Sequence, residues 1–196
     1  MKVSILMGSP KKEGNTATLI KPLLEKLKNE NIKFDYITLY DKKIKGCIGC
    51  YNCQKVNNIP GCSIDDDMKD IYNSMLSADV VVFATPIYTW FCTAPMKAVL
   101  DRSFAFGKHY DKASYNQSLL EGKKYAVIGT CGDEVAIGME SFETAMKNLS
   151  KYAKTEYIGS IGIRDINGVE DFKTKEVVEI IEEFSNQIMN KKKTWR

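Results

Sequence analysis

Short apolar runs alternate with longer amphipathic stretches along this chain. The runs KVSILM, DVVVFAT and KYAVIGT are almost continuously apolar. Strands of a parallel sheet that is covered on both faces read this way. The stretches between them carry apolar residues at helical spacing. The pattern predicts β1 at about 2–8, α1 at about 15–30, β2 at about 33–40, α2 at about 66–77 and β3 at about 79–85. It continues with α3 at about 94–106, β4 at about 123–130, α4 at about 141–154, β5 at about 156–163 and α5 at about 173–191.

Local signals punctuate these elements. Asp65-Asp66-Asp67 supplies an N-cap and an acidic first turn for α2. Thr93-Ala94-Pro95 starts α3, with proline where an early helical position tolerates it. Five βα units predict an α/β fold of the flavodoxin-like, three-layer kind, with a parallel sheet in the order 2-1-3-4-5. A ligand in that fold sits at the carboxyl ends of the strands, beside β1 and β3. No linker divides the chain, so 1–196 reads as one domain. Two long segments break the rhythm: a cysteine-rich loop at about 41–64, and a polar stretch at about 106–122. Loops of that length in a compact α/β domain are functional or mobile.

Composition narrows the classes. Apolar content is 44%, charged residues are 27%, and the formal net charge is +3. These are the proportions of a soluble folded protein. The charge is too small for nucleic-acid binding, and no aromatic-basic RNA motif is present. The basic end, Lys191-Lys192-Lys193-Thr194-Trp195-Arg196, reads as a frayed helix terminus. Met1 leads straight into a strand, without the pattern of a secretion signal. No apolar run approaches the roughly 20 residues that span a bilayer. The expected compartment is the reducing cytoplasm, where the six cysteines are not structural disulfides.

The chemistry lies in the loops. KVSILMGSPKKEGNT runs from a strand through Gly8-Ser9-Pro10 and a polar loop into Gly14-Asn15-Thr16 at the start of a helix. The first-turn N–H groups lack partners inside the helix, and its dipole favours an anion there. Ser9, Asn15 and Thr16 add donors, and Lys11 or Lys12 adds positive charge. A bare helix cap at Asn15 or Thr16 is the plainer alternative. The loop lacks the Gly-Lys-Ser/Thr of a Walker A motif and the G-x-G-x-x-G of a dinucleotide site. A mononucleotide phosphate, that of FMN, is the remaining reading. After β3 come Thr85-Pro86-Ile87-Tyr88-Thr89-Trp90-Phe91. Tyr88 and Trp90 suit stacking on a flavin ring, and Phe91 suits the core or a subunit interface. After β4 come Thr130-Cys131-Gly132-Asp133, whose backbone N–H groups suit the pyrimidine edge of a flavin.

The segments MGSPKKEGNT, ATPIYTWFCTAPMKAVLDR and IGTCGD, in that order and spacing, resemble the flavodoxin-fold NAD(P)H-dependent FMN reductases. The resemblance implies FMN held through phosphate by Ser9, Lys11, Asn15 and Thr16. It implies Pro86, Ile87, Tyr88 and Trp90 around the ring, with Thr130 and Gly132 also beside it. It also implies a homodimer or homotetramer, with the aromatics after β3 and α3 as contacts.

Residues 47–62 read CIGCYNCQKVNNIPGC, a C-x2-C-x2-C-x8-C spacing of Cys47, Cys50, Cys53 and Cys62. Four thiolates in one loop can close around a tetrahedral metal or a cubane cluster. Three close cysteines and a distant fourth suit [4Fe–4S] better than zinc. Small buried thiols near the flavin are the structural alternative. Gly46, Gly49 and Gly61 allow tight turns. The loop resembles the cysteine motif of the iron-sulfur flavoproteins, a branch of the same fold family, with a longer last gap. Cys92 reads as packing, and Cys131 as a neighbour of the ring.

Other chemistries find no support. His109 is the only histidine, and neither a nucleophile elbow nor an H-E-x-x-H helix is present. Arg102 reads as a salt-bridge partner of a neighbouring helix or subunit. The expected activity is hydride transfer from NAD(P)H to FMN, then electron delivery to a small-molecule acceptor. The alternative is a relay between a [4Fe–4S] cluster, FMN and a ferredoxin-like partner. A receiver-type regulatory module would need acidic residues after β1, where Gly8-Ser9 stand.

Overall fold

A computed structural model of the chain describes residues 1–108 and 117–189. His109 and the basic end from Lys191 lie outside the described residues. Five strands form one sheet: β1 (Lys2–Met7), β2 (Lys33–Thr38), β3 (Val80–Pro86), β4 (Lys124–Cys131) and β5 (Glu156–Arg164). Every pairing is parallel and the order is 2-1-3-4-5, as the sequence pattern predicts. The three runs that read as continuously apolar are the three central strands. Their residues are buried almost throughout, whereas β2 and β5 form the partly exposed edges.

The alternation of side chains along each strand divides the core in two. Val80, Val82 and Ala84 face α1 (Asn15–Asn29) and α5 (Lys175–Ile188), where they meet Leu19, Leu23, Ile181 and Phe184. Val81 and Phe83 face α2 (Met68–Ser77), α3 (Ala94–Arg102) and α4 (Glu140–Ala153), where they meet Ile71, Met96, Val99 and Phe142. The pairing of β4 with β5 slips by one residue between Tyr125 and Ala126. Gly159 opposes Ala126 there, with φ +145, a conformation that suits glycine.

Several boundaries shift for local reasons. Helix α3 stops at Arg102 rather than 106, and a tight 3₁₀ turn carries the chain through Ser103–Phe106. Helix α2 begins at Met68, not 66. Asp67 holds the cap position without a side-chain capping bond, because its carboxylate accepts from Lys43 N–H at 2.7 Å. Asp66 takes over the local role and accepts from Met68 N–H at 3.1 Å. Helix α5 starts late because Thr174 caps it, accepting from Val177 N–H at 3.3 Å.

Candidate functional site

The carboxyl ends of β1, β3, β4 and β5 meet the start of α1 around a cavity of about 280 Å³. Its walls include Ser9, Lys11, Asn15, Thr16, Pro86, Ile87, Tyr88, Thr130 and Gly132. Nine of the ten sequence-predicted cofactor residues therefore share one hollow. The tenth, Trp90, lines an adjoining hollow of about 170 Å³ that also touches Ile87, Cys131 and Gly132.

Hydrogen bonds tie the loops to one another. Gly8 N–H donates to Ala84 O at 2.7 Å, and Thr93 Oγ1 donates to Gly8 O at 2.7 Å. A Cβ on Gly8 would lie 3.0 Å from Thr93 Oγ1 and 3.1 Å from Thr85 Oγ1, so the two loops touch only because Gly8 has no side chain. Ile87 N–H donates to Thr130 O at 2.7 Å, which joins the β3 and β4 loops. The buried hydroxyls of Thr16 and Thr130 pair at 2.9 Å, which joins α1 to β4.

The start of α1 is chemically open. Gly14 occupies the cap position with extended backbone and no side chain to bond the first turn. The N–H groups of Asn15, Thr16 and Ala17 precede the first position that can find an acceptor within the helix. Ser9 is buried and its Oγ accepts from Lys11 N–H at 3.2 Å, which curls the loop over this helix end. An anion is the ligand that such a cradle favours.

The aromatic turn after β3 is strained. Tyr88 and Phe91 exchange backbone hydrogen bonds of 2.8 and 3.1 Å across a two-residue turn. Its central residues, Thr89 and Trp90, both lie in the left-handed region, with φ of 52 and 58. Asn and Gly favour such a turn, whereas a β-branched residue and an indole do not. The result exposes Tyr88 and Trp90, at 52% and 53%. Phe91 goes inward instead and meets Phe142 edge-on at 5.5 Å, in keeping with the core reading.

A second cavity, of about 400 Å³, is lined by all four cysteines of the long loop, with Tyr72, Arg102 and Phe104. Cys47 and Cys50 are exposed, and Cys53 and Cys62 are half-buried. A hydrogen bond from Ser63 holds the Cys50 thiol below its ordinary pKa, whereas burial pushes that of Cys53 up. The loop is pinned from several sides. Lys108 is buried, and its Nζ donates to Cys53 O at 2.9 Å and Pro60 O at 3.3 Å. Gln54 Nε2 donates to Gly107 O at 2.8 Å. At its base, Lys43 and Lys45 N–H donate to Asp67 and Asp66 at 2.7 and 2.9 Å. Gly49, Tyr51, Asn58 and Gly61 take left-handed conformations within it. Among the described residues no three His, Cys, Asp or Glu side chains gather as a single-ion site. Four soft sulfur donors line this one cavity, and thiolate is the ligand chemistry that iron-sulfur clusters take. Cys92 and Cys131 are buried outside this loop, and burial pushes the Cys92 thiol up to about 12.

The family model for NADPH-dependent FMN reductases matches residues 1–161. The chain belongs to that family. FMN is the cofactor that this family's description names, and NADPH the electron donor. An iron-sulfur flavoprotein of Methanocaldococcus jannaschii is 37% identical over 103 residues, covering 53% of this chain and 52% of the relative. An iron-sulfur flavoprotein of Methanosarcina thermophila is 30% identical over 138 residues, covering 70% of this chain and 63% of the relative. The chain thus spans between half and two thirds of the length of these curated relatives. Among solved structures, the NAD(P)H:quinone oxidoreductase of Methanothermobacter marburgensis shares the fold, with a TM-score of 0.73. It is 14% identical and covers 100% of this chain and 99% of that one.

Within this FMN reductase fold, one cavity residue had no sequence signal. Asp165 follows β5, lines the main cavity, and accepts a short hydrogen bond from Asn15 Nδ2. Its other oxygen accepts from Gly168 N–H at 3.0 Å. An aspartate after a strand is unremarkable in sequence, and only the sheet order brings it beside α1. Among the described residues, no helix is long and apolar enough to cross a membrane.

Proposed function

We propose that the chain is an FMN-dependent oxidoreductase that takes hydride from NAD(P)H and passes electrons to a small-molecule acceptor. The observation that carries the reading is the convergence of three strand-end loops and the open start of α1 on one cavity. We assign the phosphate to the first-turn N–H groups of α1, with Ser9, Lys11, Asn15 and Thr16 around it. Lys11 supplies the charge that a helix end alone does not. Asn15 is oriented by Asp165, which leaves its second amide hydrogen for the ligand. Pro86, Ile87, Tyr88 and Trp90 are assigned to the ring, where the exposed aromatics exclude water from one side. Thr130 and Gly132 are assigned to its polar edge; nothing lies within 4 Å of the Cβ position of Gly132, so its backbone is open to approach. Bound FMN supplies the hydride and electron chemistry, and the protein orients it.

The test is the visible spectrum and cofactor content of protein purified without oxygen, followed by NAD(P)H oxidation. A two-band flavin spectrum and bleaching by NAD(P)H are expected. Protein that neither retains nor rebinds FMN overturns the reading. Lys11→Ala is expected to weaken FMN by about tenfold while leaving riboflavin binding unchanged, because a charged hydrogen bond to phosphate is lost.

A second reading has its own observation. The four cysteines share one cavity, which supports Cys47, Cys50, Cys53 and Cys62 as ligands of a [4Fe–4S] cluster and electron exchange with a ferredoxin-like partner. Iron and acid-labile sulfide in stoichiometric amounts would carry it. Exposed Tyr88 and Trp90 support a homodimer or homotetramer, and we assign the protein to the cytoplasm.

A further inference from the structure

Arg102 is among the largest fully buried side chains of the molecule. Its side chain is 1% exposed, and that of its partner Asp66 is 3% exposed. Nη1 donates to both Asp66 oxygens, at 2.8 and 2.6 Å. Nη2 donates to Cys62 Sγ at 3.4 Å and to Ile64 O at 3.4 Å. Nε is buried without a hydrogen-bond partner. The guanidinium also lies 6.0 Å from the centre of the Tyr72 ring. A buried charge with an orphan N–H is costly, and the pair is held in place by the bonds its other nitrogens make. The guanidinium also borders the cysteine cavity and points its Nη2–H at one of the sulfurs there.

We propose that Arg102 is a positioning residue that sets the reduction potential of the group held by Cys62. The inference rests on the iron-sulfur reading above. One-electron reduction of a four-iron cluster adds one negative charge, and no bond breaks. An N–H···S bond and a fixed positive charge both stabilise the reduced form, so both raise the potential. Asp66 takes Nη1 while Cys62 takes Nη2, so the carboxylate aims the guanidinium and offsets part of its charge. Helix α3 fixes the geometry: its cap residue Thr93 and its Met96 contact Gly8, which precedes Ser9 of the main cavity, and its last residue is Arg102.

The experiment reconstitutes the full chain with iron and sulfide and titrates the cluster with dithionite, which supplies the electron. Arg102→Lys keeps the charge and removes the forked donor. Its cluster is expected to be about tenfold harder to reduce at a fixed potential, the worth of one charged hydrogen bond. A second measurement uses the unaltered protein labelled with ¹⁵N-arginine, of which the chain has three residues. Pulsed EPR of the reduced cluster is expected to show a ¹⁵N coupling. A folded Arg102→Lys protein with an unchanged potential, or a cluster without ¹⁵N coupling, overturns the inference alone. If Arg102→Lys does not fold, the ¹⁵N coupling decides. Wild-type protein that takes up no cluster overturns the iron-sulfur reading and the inference with it.

Discussion

Thr89 and Trp90 hold backbone angles that few residues of their kind adopt. Each costs about 1–2 kcal/mol relative to a residue at home in the left-handed region. Replacing the pair by Asn-Gly therefore relieves strain. Thr89→Asn with Trp90→Gly is expected to raise the urea midpoint of the cofactor-free protein by an amount worth about 2 kcal/mol. The same change removes the exposed indole, so FMN affinity is expected to fall, as read by flavin fluorescence. A gain in stability without a loss of affinity would remove Trp90 from the flavin assignment. The aromatics themselves were legible in sequence. Their strain was not, because nothing in Thr-Trp advertises a left-handed turn. Asp165 was equally silent, since its role depends on β5 lying beside the start of α1.

Among elements, the segment between β2 and α2 departs most from the sequence reading. The acidic triplet looked like a helix cap, yet its carboxylates tie α2, α3 and the cysteine loop together. Burial alone would push the Asp66 carboxyl up. The Arg102 guanidinium and the N–H groups of Lys45 and Met68 outweigh it and hold the carboxyl below the usual range. A lowered carboxyl pKa stabilises the fold above the unfolded value of about 3.9 and ceases to do so as pH falls through the folded value. Asp66→Asn is expected to cost about 3 kcal/mol near neutral pH, where it strands a buried guanidinium. The gap to wild type is expected to close below about pH 4. Thermal unfolding of both proteins from pH 3 to pH 7 checks this, and a gap that stays constant would deny the ion pair its role. Strand periodicity was legible because the central strands are buried on both faces. The α3 boundary was not, because its apolar pattern continues through the 3₁₀ turn of Ser103–Phe106.

At the scale of the whole molecule, five parallel strands with helices on both faces deliver four strand ends and one helix start to a common point. The sheet order was readable because parallel strands need crossover helices, and five alternating units leave few right-handed arrangements. The main cavity is cross-tied by short backbone bonds, so the loops around it hold one another in place. A ligand at a hundredfold excess over its dissociation constant stabilises the fold by about 2.7 kcal/mol. FMN is expected to raise Tm accordingly, and riboflavin at equal concentration to raise it less, as scanning calorimetry would show. The cysteine loop follows a different logic. Its two ends are drawn together where Lys43 and Lys45 meet Asp67 and Asp66, and Lys108, Gln54 and Arg102 pin the segment between them. Doubling the length of a loop closed in this way costs about 0.6 kcal/mol. The exposed turns between those pins can thus gain or lose residues, and under the iron-sulfur proposal a redox centre with them, while the strand-end loops of the main cavity keep their frame.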